Sequence, residues 1–393
     1  MQRASHWPFP YYDKVGALIA ALLAYALFAL PFATFRANRI VPGDVRSVLD
    51  ALPRTWAYAL YALIGITVCC AFFRNDARLR LGLALVGLAA LALAIGSAAS
   101  HLTPVDNSYA RVSPASGFWL LASGLILMAT DAIARLNPRP ALRIVLLFLA
   151  LGVVAATLIS GQWDALSVMK EYENRRDIFW TEAGRHIQLA IGSLFAATLV
   201  GIPLGVLCYK VDRLRAGVLN SLNIVQTIPS IALFGLLIAP LGWVAANIPG
   251  ASEIGIRGIG MAPAFVALLL YSLLPVVSNT VVGLKGVSNA VREAARGLGM
   301  TATQRLFKID FPLALPIILT GIRIVLVQNI GLATIAALIG GGGFGVFVFQ
   351  GIGQTAMDLV LLGTIPTVIL GFTAAILLNA IIESNLFNRG SRA

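Results

Sequence analysis

Long apolar segments recur along almost the whole chain and are separated by short polar stretches. Each is about 20 residues long, the length that a helix needs to cross the roughly 30 Å hydrocarbon core of a bilayer with its backbone hydrogen bonds satisfied internally. The pattern therefore predicts an all-α polytopic membrane protein with about ten transmembrane helices. The predicted spans are 15–35, 55–73, 79–99, 116–134, 143–160, 186–209, 218–240, 263–284, 313–338 and 359–382.

The composition indicates that lipid rather than water surrounds most of the chain. Hydrophobic residues make up 59% of the 393 residues, charged residues make up 12%, and the mean hydropathy is +0.86. The formal charge of +12 would also suit a nucleic-acid-binding protein, but no basic segment is interleaved with aromatic residues. We therefore expect no nucleic-acid partner. The three cysteines and three histidines are scattered, so we expect no metal site.

The distribution of basic residues predicts the topology. With a cytoplasmic N-terminus, most of the 29 lysines and arginines fall in cytoplasmic segments, as the positive-inside rule requires. We therefore expect a multi-pass protein of the bacterial inner membrane with both termini in the cytoplasm. The loop 36–54 disagrees, because its four arginines fall on the outer side. Either this loop lies on the lipid surface or one early span is miscounted.

A polar segment, 161–185, is the best candidate boundary between two parts of the chain, and we expect it outside the cytoplasm. The part before it, 1–160, contains five predicted spans rich in Ala and Leu. The spans of 186–383 contain Pro, Gly, Asn, Gln and Thr, which are costly in hydrocarbon unless they face protein or a water-filled path. The function is therefore expected in 186–383, with a cytoplasmic tail at 384–393.

The connection 286–311, between the eighth and ninth predicted spans, is too long for a simple turn. Apolar residues recur at helical spacing after Ser288, which predicts a short amphipathic helix. Gly299 interrupts this pattern, and Thr301 with Gln304 fits the capping box of a second helix. Helices this short are marginal in water, so they need a surface to pack on. Periodicity alone leaves two surfaces open, a cytoplasmic partner protein or the lipid headgroups.

The spacing of small and acidic residues in this loop resembles the EAA signature of ABC-importer permeases, which ends in Ile-x-Leu-Pro. Only Phe311 departs from the pattern, in place of Leu. The resemblance implies that the loop forms coupling helices, which seat in a cleft of the ATP-hydrolysing subunit. The coupling residues that it implies are Glu293, Ala294, Ala295, Gly299, Ile309 and Pro312.

Further motifs are similar to those of permeases for glycine betaine, choline and related osmoprotectants, and the extra N-terminal helices resemble the longer Yeh-type members. The resemblance implies that 186–383 folds as a type I, MetI-like, ABC-importer transmembrane domain. The motifs are 201–205 (GIPLG), 226–230 (QTIPS), 271–275 (YSLLP), 321–323 (GIR) and 339–345 (IGGGGFG).

The same resemblance implies the function and the partners of the chain. The function would be that of a permease subunit of an ATP-driven importer of small osmoprotectant solutes. Its partners would be ABC ATPase subunits that hold ATP and Mg, an extracytoplasmic solute-binding protein, and a second copy of this permease or a related one. No Walker motif occurs in the chain, so energy from ATP would have to enter through another subunit. No nucleophile with a partnered base and no carboxylate pair stands out, so we expect no cofactor and no enzymatic activity in this subunit.

Polar residues in the spans of the second half are candidates for a solute path. Pro229 should break or kink its helix, and broken helices often line such paths, although neighbouring helices can also satisfy a proline kink. Interhelical bonding is the alternative for Gln328 and Asn329. Asn279 lies in Ser-Asn-Thr, where many relatives have Arg-Asn-Thr. The predicted path residues are Gln226, Thr227, Pro229, Ser230, Asn279, Gln328 and Asn329.

Two other features are less specific. Arg323 lies inside a predicted span, where snorkelling or an interhelical hydrogen bond is favoured over solute contact. The glycine run 340–343 lacks the Lys-Ser or Lys-Thr of a phosphate-binding loop, which leaves an outer gate or a tight turn.

Two other functions fit the pattern less well. An ion-coupled secondary transporter would need an acidic residue in mid-membrane, whereas Asp131 and Asp358 lie near predicted span ends. A non-transporting scaffold or sensor would use the loop only as a tether.

Overall fold

The computed structural model describes residues 13–39, 41–73, 75–104, 107 and 109–383. The residues before Asp13 and the predicted cytoplasmic tail, 384–393, lie outside this part, so the position of the termini stays a prediction. The chain divides into two compact units, Met1–Asn174 and Arg175–Ala393. This boundary falls within the predicted connector 161–185.

The described part of the first unit contains long apolar helices and short elements in the connections between them. Capping residues explain several helix starts. Asp13 accepts hydrogen bonds from the backbone N–H groups of Val15 and Gly16, and Pro140 occupies the first turn of its helix. The elements are α1 Lys14–Ala29, β1 Ala33–Arg36, β2 Asp44–Arg46, α2 Val48–Ala51, α3 Arg54–Phe72, α4 Ala77–Leu102, β3 Arg111–Pro114, α5 Ser116–Leu136, α6 Pro140–Ile159 and α7 Ser167–Glu173.

The strands form an antiparallel sheet of order β2-β1-β3 in the described part of this unit, which the hydropathy pattern did not predict. Phe35 pairs with Val112 and Arg36 pairs with Arg111. Strands β1 and β2 follow α1, and β3 follows α4. Two membrane-crossing helices, α3 and α4, therefore lie in the chain between the paired strands β1 and β3. The loop 36–54 therefore shares one side of the bilayer with the connection between α4 and α5.

A cluster of charged side chains joins α1, α4 and α5 at the end of the unit opposite the sheet. Arg80, which is 1% exposed, donates to Asp13 at 2.9 Å and to Asp131 at 3.4 Å. Arg135 contacts the same two carboxylates at 2.5 and 2.8 Å. Burial alone would raise the pKa of Asp13. However, hydrogen bonds from the Gly16 N–H and Arg135, and the charges of Arg135 and Arg80, outweigh it and lower this pKa.

The described part of the second unit is a helical bundle in which α8, α12 and α15 approach closely at small residues. A Cβ atom added to Gly201 would lie 2.8 Å from Val276, and one added to Gly321 would lie 2.8 Å from Asn279. The helices are α8 Arg176–Lys210, α9 Asp212–Thr227, α10 Ser230–Leu236, α11 Ile238–Asn247, α12 Met261–Gly286, α13 Asn289–Gly297, α14 Ala302–Arg305, α15 Phe311–Ala333, α16 Gly345–Gly353 and α17 Met357–Glu383, with a π-helix at Leu306–Asp310 and a 3-10 helix at Ile335–Ile339.

The structure confirms an all-α polytopic membrane fold. Nine helical segments in the described residues are long and apolar enough to cross a bilayer, and α1 is a shorter apolar helix. Four predicted spans had wrong boundaries. The first, 15–35, extends past the end of α1 at Ala29 and into β1. Helix α8 begins at Arg176 rather than residue 186, the seventh predicted span is divided among α9, α10 and the start of α11, and the ninth is preceded by helical residues from Ala302 onward.

Candidate functional site

The connection between α12 and α15 is a helical hairpin with the predicted order of helix, glycine turn and helix. The Ser288 hydroxyl accepts a hydrogen bond from the Val291 N–H at the start of α13. Gly299 has a φ of +76°, a left-handed conformation that glycine adopts at little cost. Thr301 and Gln304 form the capping box of α14, with hydrogen bonds of 2.9 and 3.2 Å.

The second arm of the hairpin continues directly into the membrane helix, whereas an independent short helix was predicted. A π-helical stretch joins α14 to α15, and the Phe311 N–H donates to the Leu306 carbonyl. Pro312 has no N–H and its ring needs space in the preceding turn, which the wider π-helical turn provides. Pro312 and Pro316 therefore lie within one continuous helical rod.

Helix α13 is fastened to the transmembrane helices by a buried ion pair that the sequence pattern did not predict. Arg292 contacts Asp310 at 3.1 Å, and Asp310 is 2% exposed. Arg292 also donates to the Leu284 carbonyl at the end of α12, and its guanidinium lies 5.5 Å from the centre of the Tyr209 ring on α8. Arg305 lies 3.8 Å from the other Asp310 oxygen. The only sign of this ion pair in the sequence was the presence of two opposite charges 18 residues apart in one loop.

The predicted coupling residues divide into an exposed and a buried group. Ala295 is the buried residue of α13, at 3% exposed, and Ile309 is partly buried. Two large apolar side chains, Leu298 and Phe307, are 80% and 66% exposed, which is typical of a surface that another protein covers. The exposed predicted residues are Glu293, Ala294, Gly299 and Pro312.

The helix break predicted at Pro229 is present and is held open by α12. Helix α9 ends and α10 begins on either side of Ile228 and Pro229, which have extended backbones. The Tyr271 hydroxyl donates to the Ile228 carbonyl at 2.5 Å, and the Gln226 side chain donates to the Tyr271 carbonyl at 2.8 Å. The first bond satisfies the Ile228 carbonyl at the break. The second satisfies the Tyr271 carbonyl, to which Pro275, four residues later in α12, has no N–H to donate. The importance of Tyr271 in this contact was missed, although it lies in the motif 271–275.

An open cleft of about 320 Å³ lies at this break. Amide and hydroxyl groups dominate its polar lining, and no described residue among those that line it is charged. The cleft therefore offers dipoles rather than a fixed counter-charge to a solute. It brings five predicted path residues together, namely Gln226, Thr227, Pro229, Ser230 and Gln328, and Ile228, Tyr271 and Leu332 complete the lining.

The other two predicted path residues pack between helices and do not line this cleft. Asn329 is fully buried, and its amide donates to the Ser193 hydroxyl at 2.8 Å and to the Ser272 hydroxyl at 2.9 Å. Asn329 therefore joins α8, α12 and α15 by hydrogen bonds between helices, which was the alternative to lining a solute path. The Asn279 amide donates to the Pro275 carbonyl within its own helix at 2.8 Å.

Arg323 makes an interhelical hydrogen bond, one of the favoured alternatives for this residue. Its guanidinium donates to the side-chain oxygen of Asn379 on α17. The amide of Asn379 in turn donates to Glu383 at 3.0 Å. Arg323 is thus used in helix packing and does not line the cleft.

The glycine run is a tight turn fastened to a buried carboxylate. The Gly343 N–H donates to Glu182 at 2.6 Å, and Arg185 contacts the other oxygen of Glu182 at 2.7 Å. A Cβ atom added to Gly342 would lie 2.6 Å from Glu182. Glycine is therefore required here for the backbone to approach a side chain, and a tight turn describes the run better than a flexible gate.

A bundle of membrane-crossing helices with an exposed helical hairpin and a polar cleft at a broken helix has the architecture of a membrane permease. Residues 197–386 match the family model for the binding-protein-dependent transport system inner membrane component. Residues 13–169 match the model for the N-terminal domain of the ABC transporter permease YehY.

Sequence comparison gives the same result. The osmoprotectant import permease protein OsmW of Salmonella typhimurium is 42% identical over 46% of this chain and 79% of OsmW. The glycine betaine/carnitine/choline transport system permease protein OpuCB of Bacillus subtilis is 35% identical over 48% of this chain and 80% of OpuCB. A chain from an inward-facing structure of the MetNI methionine ABC transporter aligns over 53% of this chain and 98% of its own, with 22% identity and a TM-score of 0.45. The two sequence relatives, OsmW and OpuCB, show that this chain belongs to the family of ABC-importer permeases.

Proposed function

We propose that this chain is the permease subunit of an ATP-driven importer of small osmoprotectant solutes such as glycine betaine or choline. It would lie in the bacterial inner membrane with both termini in the cytoplasm. The observation that carries this proposal is the exposed hairpin of Glu293, Ala294 and Gly299 in a chain of this family. OsmW is an osmoprotectant import permease and OpuCB a glycine betaine/carnitine/choline permease, which supports this class of solute.

The hairpin would bind an ATPase subunit and transmit the movement of that subunit to the membrane helices. The exposed side chains Leu298 and Phe307 would be covered by this partner, which would hold ATP and Mg. The fastening of Arg292 to Asp310 and to the end of α12 supports transmission, because a rigid contact moves α12 and α15 together with α13. These two helices supply Tyr271 and Gln328 to the cleft.

The cleft would pass a zwitterionic solute or a solute with a single charge. Hydroxyl and amide groups of Thr227, Ser230 and Gln328 replace water around a small polar molecule. A path must bind weakly enough to release its cargo, and neutral dipoles meet that requirement better than a fixed charge. An extracytoplasmic solute-binding protein would supply affinity, and a second permease copy or a related permease would complete the path.

Reconstitution in proteoliposomes with the ATPase and the solute-binding protein tests this function. Labelled glycine betaine and choline are offered with and without ATP on the ATPase side, and with ion gradients present or collapsed. The proposal predicts uptake that requires ATP and continues after the gradients collapse. Uptake driven by an ion gradient alone would indicate a secondary transporter, and association without any uptake would indicate a scaffold.

A further inference from the structure

The sheet of the first unit lies at the level of one membrane boundary. Trp56 and Trp119 lie in the first two turns of α3 and α5, at the end that meets the sheet, and are 48% and 39% exposed. Exposed tryptophans at helix ends are typical of the boundary between hydrocarbon and headgroups. Helix α1 has 16 residues and spans about 24 Å, so the chain reaches the edge of the roughly 30 Å hydrocarbon layer near the start of β1.

The far ends of β1 and β3 then lie at the depth of the lipid headgroups. Strand β3 runs from Arg111 to Pro114, which is followed within two residues by the start of α5. At about 3.3 Å per residue, Arg111 is at most about 10 Å beyond Pro114. A headgroup layer is roughly 5–8 Å thick, so long arginine side chains at this end of the sheet reach it.

Two arginines face each other across the strands at this end. Arg36 on β1 pairs directly with Arg111 on β3, and like charges in this register repel. Among the described residues, neither arginine has a carboxylate at ion-pair distance, and the Nε atoms of both are shielded from solvent without a hydrogen-bond partner. The Nε atom of Arg46 is likewise shielded without a hydrogen-bond partner, but Arg46 differs in contacting a carboxylate, Asp44, at 3.8 Å, as Arg39 contacts Glu171 at 3.6 Å.

A third cation adds to the positive potential. The Lys170 amine on α7 donates to the carbonyl of Ala110, the neighbour of Arg111, at 2.9 Å. Burial lowers the pKa of Lys170, and the charge of Arg111 lowers it further. Gly43 leaves room for Arg36 beside it, because a Cβ atom there would lie 3.0 Å from the Arg36 Nε. The fold therefore keeps an electrostatically unfavourable pair that a bound anion would relieve.

We propose that Arg36 and Arg111 bind the phosphate of an anionic phospholipid in the outer leaflet. Guanidinium groups suit phosphate because they donate paired hydrogen bonds, and the headgroup depth of the pair brings lipid phosphate within reach. This assignment resolves the disagreement of the loop 36–54 with the positive-inside rule. With this lipid bound, the loop would lie against the membrane surface, which was one of the two explanations for its charge.

Titration of the purified permease–ATPase complex with phosphatidylglycerol, followed by native mass spectrometry, tests the site. Each arginine near an anionic headgroup contributes about fivefold to affinity, so R36Q/R111Q should weaken binding of the tightest lipid roughly 30-fold. R46Q is the matched control, since it removes the same charge from the same sheet at a residue that has a carboxylate partner. Wild-type binding by the double variant, or an equal loss in R46Q, would overturn the proposal.

Competition and thermal unfolding separate the lipid from other occupants and from a structural role. Phosphatidylcholine and millimolar inorganic phosphate should not displace the bound phosphatidylglycerol. Displacement by phosphate would assign the pair to free anions, and loss of cross-linking to the solute-binding protein with unchanged lipid binding would assign it to that protein. Without added lipid, R36Q/R111Q should unfold no earlier than the wild type because repulsion is removed, and it should lose the stabilisation by phosphatidylglycerol. Earlier unfolding with this stabilisation retained would overturn the proposal.

Discussion

At the residue scale, neighbouring positions of the hairpin have different roles. Glu293 and Ala294 are exposed, whereas the next residue, Ala295, is buried. Of these three consecutive residues, two are thus available to a partner protein and one packs in the interior. Gly299 adds a backbone conformation that other residues adopt only with strain.

Reversing the charge of Glu293 should abolish coupling. Glu293→Arg should leave the chain inserted, because the side chain is exposed, but should lower ATP-dependent uptake at least about tenfold through repulsion at the ATPase contact. Glu253→Arg, the same change at another exposed glutamate, is the control and should transport normally. Undiminished uptake by Glu293→Arg at normal expression would remove this residue from the contact.

Replacing Gly299 with valine should distort the turn. A β-branched residue at a φ of +76° costs about 1–2 kcal/mol, so Gly299→Val should reduce stimulation of the ATPase by solute-loaded binding protein. Gly297→Val, two residues earlier in open space on α13, is the matched control and should retain most of the stimulation. Equal stimulation in both variants would show that coupling does not require the left-handed turn at Gly299.

At the scale of elements, the sequence predicts features that depend on local chemistry. The capping residues of the hairpin and the break at Pro229 are present as predicted because caps and proline act within a few residues. The strands were missed because segments of three or four residues have too little periodicity to detect. The partner of Ile228 was missed because it lies 43 residues away in sequence.

The positions of polar residues within spans were predicted less well for a related reason. A polar side chain in a membrane helix is explained equally by a solute path and by a neighbouring helix. Gln328 lines the cleft, whereas the next residue, Asn329, is buried between helices. One residue turns a helix by about 100°, so the rotation of α15 decides the assignment, and this rotation depends on tertiary packing.

Removing the Tyr271 hydroxyl should loosen the broken helix. Tyr271→Phe leaves the Ile228 carbonyl without its donor, a loss of about 1–3 kcal/mol if no other group replaces it. We expect slower ATP-dependent uptake with normal ATPase docking, measured as transport rate and as co-purification of the ATPase. Tyr109→Phe, at a tyrosine that is 76% exposed, should behave as the wild type. Identical uptake by both variants would show that the hydrogen bond is dispensable.

At the scale of the whole molecule, each unit has its own means of holding helices together. The first unit uses the charge cluster of Asp13, Arg80, Asp131 and Arg135 at one end and the sheet at the other. The second uses small residues and the buried Asn329 network among α8, α12 and α15. Both devices hold several helices at once, which suits proteins in lipid, where apolar contacts alone add little specificity.

The charge cluster predicts a pH dependence of stability. Because the folded pKa of Asp13 is lowered, its stabilisation is present above the ordinary value of 3.8 and is lost as the pH falls through the folded pKa. Asp13→Asn should therefore lower stability by about 2 kcal/mol at neutral pH, and the difference should vanish in acid. Thermal unfolding of the purified protein at several pH values measures this, with Asp44→Asn as an exposed control. A difference that persists in acid would contradict the assignment.

The central claim is that the hairpin faces the cytosol and is covered by the ATPase. The most direct measurement is labelling of Ala294→Cys with a membrane-impermeant maleimide, in a Cys69→Ser background because Cys69 is exposed. We predict labelling in inside-out vesicles only, with protection when the ATPase is bound. Labelling from the extracytoplasmic side, or labelling that the ATPase leaves unchanged, would contradict the account.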